Sequence, residues 1–159
     1  MKKLLIYYSH DGNTKFVAET ISKIIEADIM ELIPEENINI TGIMKISWGV
    51  RQLITHPKPK LLRNNINPSD YDMIVIGTPV WSYTFSPPIN TFFNEYKLSG
   101  KKVAIFCCHG GQKGKTIEKI KECLKGNIII GENDFLEPLK YRKEENLKKI
   151  IEWANNISK

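Results

Sequence analysis

Residues 3–25 read KLLIYYSHDGNTKFVAETISKII, and the corner inside this stretch decides the fold. An apolar run over 3–8 stops, six small or polar residues follow, and apolar residues return at helical spacing at Val17, Ile21, Ile24 and Ile25. Glu19, Ser22, Lys23 and Glu26 fall on the other face, as an amphipathic helix requires. A short apolar run closed by turn residues reads as a buried strand. The unit is a strand, a tight loop and a helix. The basic head MKK gives the outline of a secretory leader, but the apolar part is only residues 4–8 and no small-residue cleavage site follows. Leaders carry about 7–15 apolar residues there, so the expectation is a first strand in a cytoplasmic protein.

The alternation continues along the chain. DIMELI at 28–33 alternates polar and apolar residues as a second strand would. YDMIVIG at 71–77 and KKVAIFCC at 101–108 are apolar runs of the kind found in parallel strands covered on both faces. A helix over 114–124 follows the latter, with Ile117, Ile120 and Leu124 inward. NIIIG at 127–131 opens a last strand region, continued or bent at DFLEPL. Leu147, Ile150, Ile151, Ala154 and Ile157 predict a final helix over 143–157. Such a pattern implies an α/β fold, a parallel sheet with helices on both faces. Residues 34–68 are too long for an ordinary connection. Ile43, Ile46, Val50, Leu53 and Ile54 predict one helix there, ended by THPKPK, whose prolines forbid continuation. A single domain over 1–159 is expected, with 34–70 as an extended connection and no repeat or low-complexity tract.

At 159 residues the chain can bury a full core without disulfides or metals. Its 42% hydrophobic and 26% charged residues are ordinary for a globular protein. No apolar run approaches the roughly 20 residues of a membrane span. Cys107 and Cys108 are adjacent and Cys123 stands alone, which makes neither a disulfide framework nor a CxxC pair. His10, His56 and His109 have no metal-ligand spacing. The net charge of +5 is concentrated: 37–69 holds no Asp or Glu but carries Lys45, Arg51, Lys58, Lys60 and Arg63. That segment is either a solvated surface or a docking face for something anionic, such as an acidic protein or a phosphorylated cofactor. Nucleic acid is the weakest of these partners, since no binding motif accompanies the charge.

Three strand-end loops look specialised, and in an open α/β sheet they would meet at the carboxyl edge where ligands bind. The first is SHDGNT at 9–14. Gly12 permits a turn closed to other residues, Ser9, Asn13 and Thr14 offer side-chain donors, and the helix start adds free N–H groups. Such residues also cap helices without binding anything, but six in a row exceed what a cap requires. The second is GTPVWSYTFSPPINTFF at 77–93, which holds Trp81, Tyr83 and Phe85 and leads into a helix begun by Pro87 and Pro88. Its aromatics either cover a flat ligand or pack on the long connection, which contains Trp48. The third is CCHGGQKGKT at 107–116, a near match to a Walker A loop. Its glycine spacing is one residue short and it follows the fourth strand, which argues against an NTPase. Cys107 and Cys108 are expected to be structural, because burial at a strand end is the commoner fate.

SHDGNT after the first strand resembles the phosphate loop of flavodoxins, [ST]-x-[ST]-G-x-T, with Asp11 as the departure. GTPVW is shared by a flavodoxin-like group, and the likeness extends over nearly the whole chain. The resemblance implies a three-layer sandwich of the short-chain type, with a five-stranded parallel sheet in the order 2-1-3-4-5. It implies FMN as cofactor. Ser9, His10, Asp11, Gly12, Asn13 and Thr14 would wrap its phosphate. Thr78, Pro79, Val80, Trp81, Ser82 and Tyr83 would line the isoalloxazine ring, and Cys108, His109, Gly110 and Gly111 would approach its pyrimidine edge. The Asp11 carboxylate is expected to point outward, with Lys15 as partial compensation, so that Asp11→Thr tightens flavin binding. WSY fills the place where typical flavodoxins put a glycine whose peptide flips on reduction, so weak stabilisation of the half-reduced flavin is expected.

The resemblance implies an FMN-binding electron-transfer protein. The rivals are an FMN-dependent NAD(P)H oxidoreductase acting on quinones or other small acceptors, and a flavin-free signalling domain of the same fold. A sequence pI near 9.0 sets the chain apart from the acidic electron-transferring flavodoxins. The expected partner is therefore an acidic redox protein or a phosphorylated nicotinamide, steered by the basic segment.

Overall fold

The structure is a computed structural model, and residues 1–36 and 58–159 are described. The helix expected within 43–54, together with Trp48, Lys45, Arg51 and His56, lies outside the described residues. β1 (Lys3–Tyr7) leads through the first loop into α1 (Asn13–Ile25), followed by β2 (Asp28–Glu31). A single 3-10 turn, Pro68–Asp70, precedes β3 (Met73–Trp81), the two-residue β4 (Thr84–Phe85) and α2 (Pro87–Glu95). β5 (Lys102–His109), α3 (Thr116–Cys123), β6 (Ile128–Leu136) and α4 (Lys143–Ile157) complete the order.

Five strands run parallel in the order β2-β1-β3-β5-β6, and β4 pairs antiparallel with the end of β3. The expected order 2-1-3-4-5 holds for the parallel strands, the numbering shifting only because β4 is interposed. β1 lies between β2 and β3, with Leu5 opposite Ile29 on one side and Val75 on the other. The basic start of the chain thus feeds directly into the core strand.

Side chains alternate across the pleat, so each strand supplies two cores. On one face Leu4, Ile6, Ile74, Ile76, Val103 and Ile105 pack with Ile89 and Phe92 of α2 and Ile117 and Ile120 of α3. On the other Leu5, Tyr7, Val75 and Phe106 pack with Val17 and Ile21 of α1 and Ile150 and Trp153 of α4. Of the helically spaced apolar residues of α4, Ile150, Ala154 and Ile157 are buried, together with Trp153, while Leu147 and Ile151 are 37% and 40% exposed. The β5–β6 register shifts by one residue between Val103 and Ala104, where Ile130 is the extra residue. The strand region expected to be continued or bent at DFLEPL is continued, since β6 runs on through Leu136.

The second loop is much shorter than its sequence suggested. Thr78, Pro79, Val80 and Trp81 belong to β3, and Thr78 and Pro79 pair with Cys107 and Cys108 of β5. Only Ser82 and Tyr83 form the turn into β4. The third loop likewise begins after His109, the last residue of β5.

Candidate functional site

Loops after β1, β3, β5 and β6 meet at the carboxyl edge of the sheet. The first is fixed where Tyr8 N–H donates to the Gly77 carbonyl (3.3 Å). Gly12 is the N-cap of α1 at φ +88°, a conformation L side chains rarely adopt. It has no side chain to offer, so the Asn13, Thr14 and Lys15 N–H groups open the helix without a cap from that residue. Two buried hydroxyls beside them, Ser9 Oγ and Thr14 Oγ1, have no hydrogen-bond partner. Thr14 is fully buried. Its hydroxyl lies near the Cys108 thiol without forming a hydrogen bond of ordinary geometry. Orphaned hydroxyls at the positive end of a helix suit an oxyanion such as a phosphate.

Asp11 departs from the sequence expectation. The residue is exposed, but its carboxylate turns back onto the loop: the Asn13 N–H donates to Oδ1 (3.1 Å) and Asn13 Nδ2 to Oδ2 (2.9 Å). This is an Asx-type turn, the local bond that aspartate makes to the N–H two residues on. Lys15 provides no compensation, because its ammonium pairs with Glu31 at 3.2 Å. The side chain of Asn13 is also spent, since Oδ1 accepts from the Leu139 N–H (3.0 Å). It ties the first loop to the 137–142 segment rather than facing a ligand.

Trp81 makes edge contacts with both Tyr8 (5.9 Å between centroids) and His10 (5.5 Å). These contacts join the first and second loops into one aromatic wall. Ser82 (φ +49°) and Tyr83 (φ +61°) are both left-handed without being glycine. Such a turn matches the twist of a hairpin, yet each residue is strained by about 1–2 kcal/mol. It is held from outside: Lys115 N–H donates to the Tyr83 carbonyl (3.2 Å), and Gly114 packs directly on the Tyr83 backbone. Tyr83 is 64% exposed above this contact. Thr78, expected at the ring, is fully buried, and its hydroxyl bonds Ser86 Oγ and the Ser86 N–H. It closes the corner between β3 and α2.

The third loop is anchored to β6. Asp134 accepts from Lys113 Nζ at 3.0 Å and lies 3.1 Å from His109 Nε2. Burial alone would raise the Asp134 carboxyl, but the bonds from Lys113 and His109 outweigh it and hold the group below the usual carboxylate range. The Lys115 and Thr116 N–H groups are spent on the Tyr83 and Lys113 carbonyls, so these two amides at the start of α3 are not available to a phosphate. Gly111 is open, and Gly110 lies beside the Glu137 side chain. Cys107 and Cys108 are buried and belong to opposite cores. Burial, with Asp134 adding, pushes the Cys107 thiol up to about 12, and burial raises Cys108 too. Neither is poised as a thiolate.

Sequence reading missed the 137–142 segment. Leu139 reaches within 3.4 Å of the position a Gly12 Cβ would take, and Glu137 N–H donates to the His109 carbonyl (3.0 Å). The segment buttresses the first and third loops together. Its only signal was EPLK, a turn-like break between strand and helix.

A doubly wound parallel sheet with an anion-suited loop after its first strand and an aromatic wall on the same edge defines a nucleotide-binding α/β domain. The flavodoxin family model matches residues 2–157, and the chain belongs to the flavodoxin family. It is similar to a flavodoxin from Maridesulfovibrio salexigens, 24% identical over 171 residues that span 99% of this chain and 97% of that protein. It is also similar to the crystal structure of a flavoprotein from Lactobacillus acidophilus NCFM in complex with FMN. That match has 28% identity, covers 89% of this chain and 97% of the other, and has a TM-score of 0.73. In fold it is like oxidised flavodoxin 2 from Bacillus cereus, at 19% identity, a TM-score of 0.65 and coverage of 99% and 98%. No helix among the described residues is long and apolar enough to cross a membrane.

Proposed function

We propose that the protein is an FMN-binding electron carrier. The observation that carries this reading is the pair of buried, unpartnered hydroxyls, Ser9 Oγ and Thr14 Oγ1, at the start of α1. Membership of the flavodoxin family and the FMN complex of a 28%-identical neighbour support the same cofactor. Ser9, Thr14 and the open N–H groups of the 9–14 loop would hold the phosphate. Trp81, supported by Tyr8 and His10, with the Ser82–Tyr83 turn, would form one wall of the ring site. Gly110 and Gly111 would allow close backbone approach on the other. Bound FMN supplies reversible transfer of one or two electrons. The chain's own work is to position the ring, shield it and govern access. The buried thiols take no part.

Lys58, Lys60 and Arg63 are exposed, although Lys60 stands 3.7 Å from Glu35. With Arg51 they would steer an acidic redox protein or a phosphorylated nicotinamide, and the same reading puts the carrier in the cytoplasm. The first test is to add excess FMN to purified protein, remove the free cofactor and record the visible spectrum. Retained flavin absorption is expected; a colourless protein favours a flavin-free domain and overturns the reading. Rapid anaerobic bleaching by NADPH alone, with turnover of a quinone, would make the protein a reductase instead. Electron exchange with an acidic ferredoxin should slow as salt rises, and a salt-independent rate would remove the steering role.

A further inference from the structure

The first loop already contains an anion of its own. Both Asp11 carboxylate oxygens are occupied by Asn13, so the carboxylate takes the first N–H of α1, a donor that an oxyanion would otherwise use. The charged and titratable groups nearby do not neutralise it. Lys15 on α1 is held by Glu31 of β2, and Lys140 of the 137–142 segment by Glu137. The Tyr8 hydroxyl after β1 and the Cys108 thiol of β5 are buried neutral groups, both raised in part by Asp11 itself. His10 turns its ring to Trp81. Among the described residues no lysine or arginine lies within ion-pair distance of Asp11. Yet the fully buried Thr14 hydroxyl and Ser9 Oγ remain without partners in the same loop. The loop thus has unpartnered hydroxyls suited to an oxyanion and a carboxylate already holding the first N–H of the same helix start.

We propose that Asp11 makes entry of the cofactor phosphate proton-coupled. The proposal rests on the FMN reading above. A phosphate dianion and a carboxylate at hydrogen-bond distance do not both stay fully ionised, since like charges in one site raise one another's proton affinity. One proton is taken from solvent as FMN binds and is shared between a phosphate oxygen and an Asp11 oxygen. No other bond forms or breaks. Asp11 keeps its place in the loop and sets how strongly a phosphorylated flavin is preferred over an unphosphorylated one. That preference is small at alkaline pH and grows as pH falls toward the second pKa of a phosphate monoester, about 6.

The experiment titrates flavin-free full-length protein with FMN and with riboflavin, following quenching of flavin fluorescence, at pH 8.5, 7.5 and 6.5. Wild type is compared with Asp11→Asn and Asp11→Thr. Calorimetry at pH 7.0 in two buffers of different ionisation enthalpy counts the protons exchanged. In wild type the FMN-to-riboflavin affinity ratio should rise about tenfold or more from pH 8.5 to 6.5, as uptake approaching one proton requires. Close to one proton should be taken up with FMN and none with riboflavin. Both variants should raise the ratio at pH 8.5 by about tenfold and lose the proton uptake. Zero proton uptake by wild type, or a ratio unchanged by substitution, overturns the proposal while leaving the FMN reading intact. In that case the carboxylate simply swings out of the loop. Failure of wild type to bind either flavin overturns the FMN reading, and this inference with it. The wild-type proton count stands even if a variant does not fold.

Discussion

Replacing Gly114 by alanine tests the contact that holds the second and third loops together. Gly114 has φ +54°, and a Cβ there would lie 2.6 Å from Tyr83 Cβ, 2.8 Å from Tyr83 Cα and 2.9 Å from the Tyr83 oxygen. Two of those atoms are backbone, so no rotamer change relieves the overlap. The left-handed conformation costs alanine about 1 kcal/mol. Pushing the turn away strains the packing by about 1–3 kcal/mol and loosens the Lys115–Tyr83 hydrogen bond, a further ~1 kcal/mol. Gly100 supplies the control. Its φ is +68°, but nothing lies within 4 Å of its would-be Cβ, so Gly100→Ala meets only the conformational term. Urea unfolding followed by far-UV circular dichroism should show a loss of about 3–5 kcal/mol for Gly114→Ala against about 1 for Gly100→Ala. Gly114→Ala should also weaken FMN binding, because the displaced turn carries the ring wall, whereas Gly100→Ala at the far edge should not. Equal losses in the two variants would refute the argument that a backbone contact fixes the turn.

Two further outcomes follow from the same edge. In native protein a thiol reagent should modify the exposed Cys123 alone, with Cys107 and Cys108 reacting only on unfolding; rapid labelling of three thiols would contradict the burial. Asp134→Asn should lower stability at pH 7 by about 1 kcal/mol, a figure reduced for partial exposure of the pair. The folded carboxyl is held below its ordinary range, so its contribution is present at neutral pH, above the unfolded value, and is lost as pH falls through the folded one. Urea midpoints of wild type and Asp134→Asn should therefore converge below about pH 4, and a difference that persists there would show that the carboxylate's charge is not the source.

The parallel sheet was legible because its evidence is local and repeated: apolar runs over 3–8, 71–77 and 101–108, each followed by a helical period. The 9–14 loop was legible for the same reason, since glycine, small hydroxyls and a helix start sit side by side. What could not be read was how side chains divide their bonds. Asp11 is as free by residue type to face water as to close an Asx turn, and only the bonded Asn13 decides. Asn13 looked like a ligand donor because its pairing with Leu139 comes from the far end of the chain. Thr78 looked like a loop residue because the apolar run ends at Gly77, yet the β3–β5 ladder carries the strand on through Pro79 and pairing with β4 extends it to Trp81.

The turn at Ser82–Tyr83 gives the sharpest case. A two-residue hairpin with both φ positive ordinarily shows Asn-Gly or Asp-Gly in the sequence, and here the residues are Ser and Tyr. The missing glycine stands in another loop, at Gly114. There the absence of a side chain lets the chain close on the Tyr83 backbone, and the Lys115 N–H fixes the strained carbonyl in place. The Gly114 that made 107–116 look like a Walker loop is therefore accounted for by packing against a hairpin. The strain of the turn and the near-motif are two ends of one contact. Relieving either end alone has different consequences: Ser82→Gly removes strain and leaves the contact, whereas Gly114→Ala leaves the strain and removes what holds it.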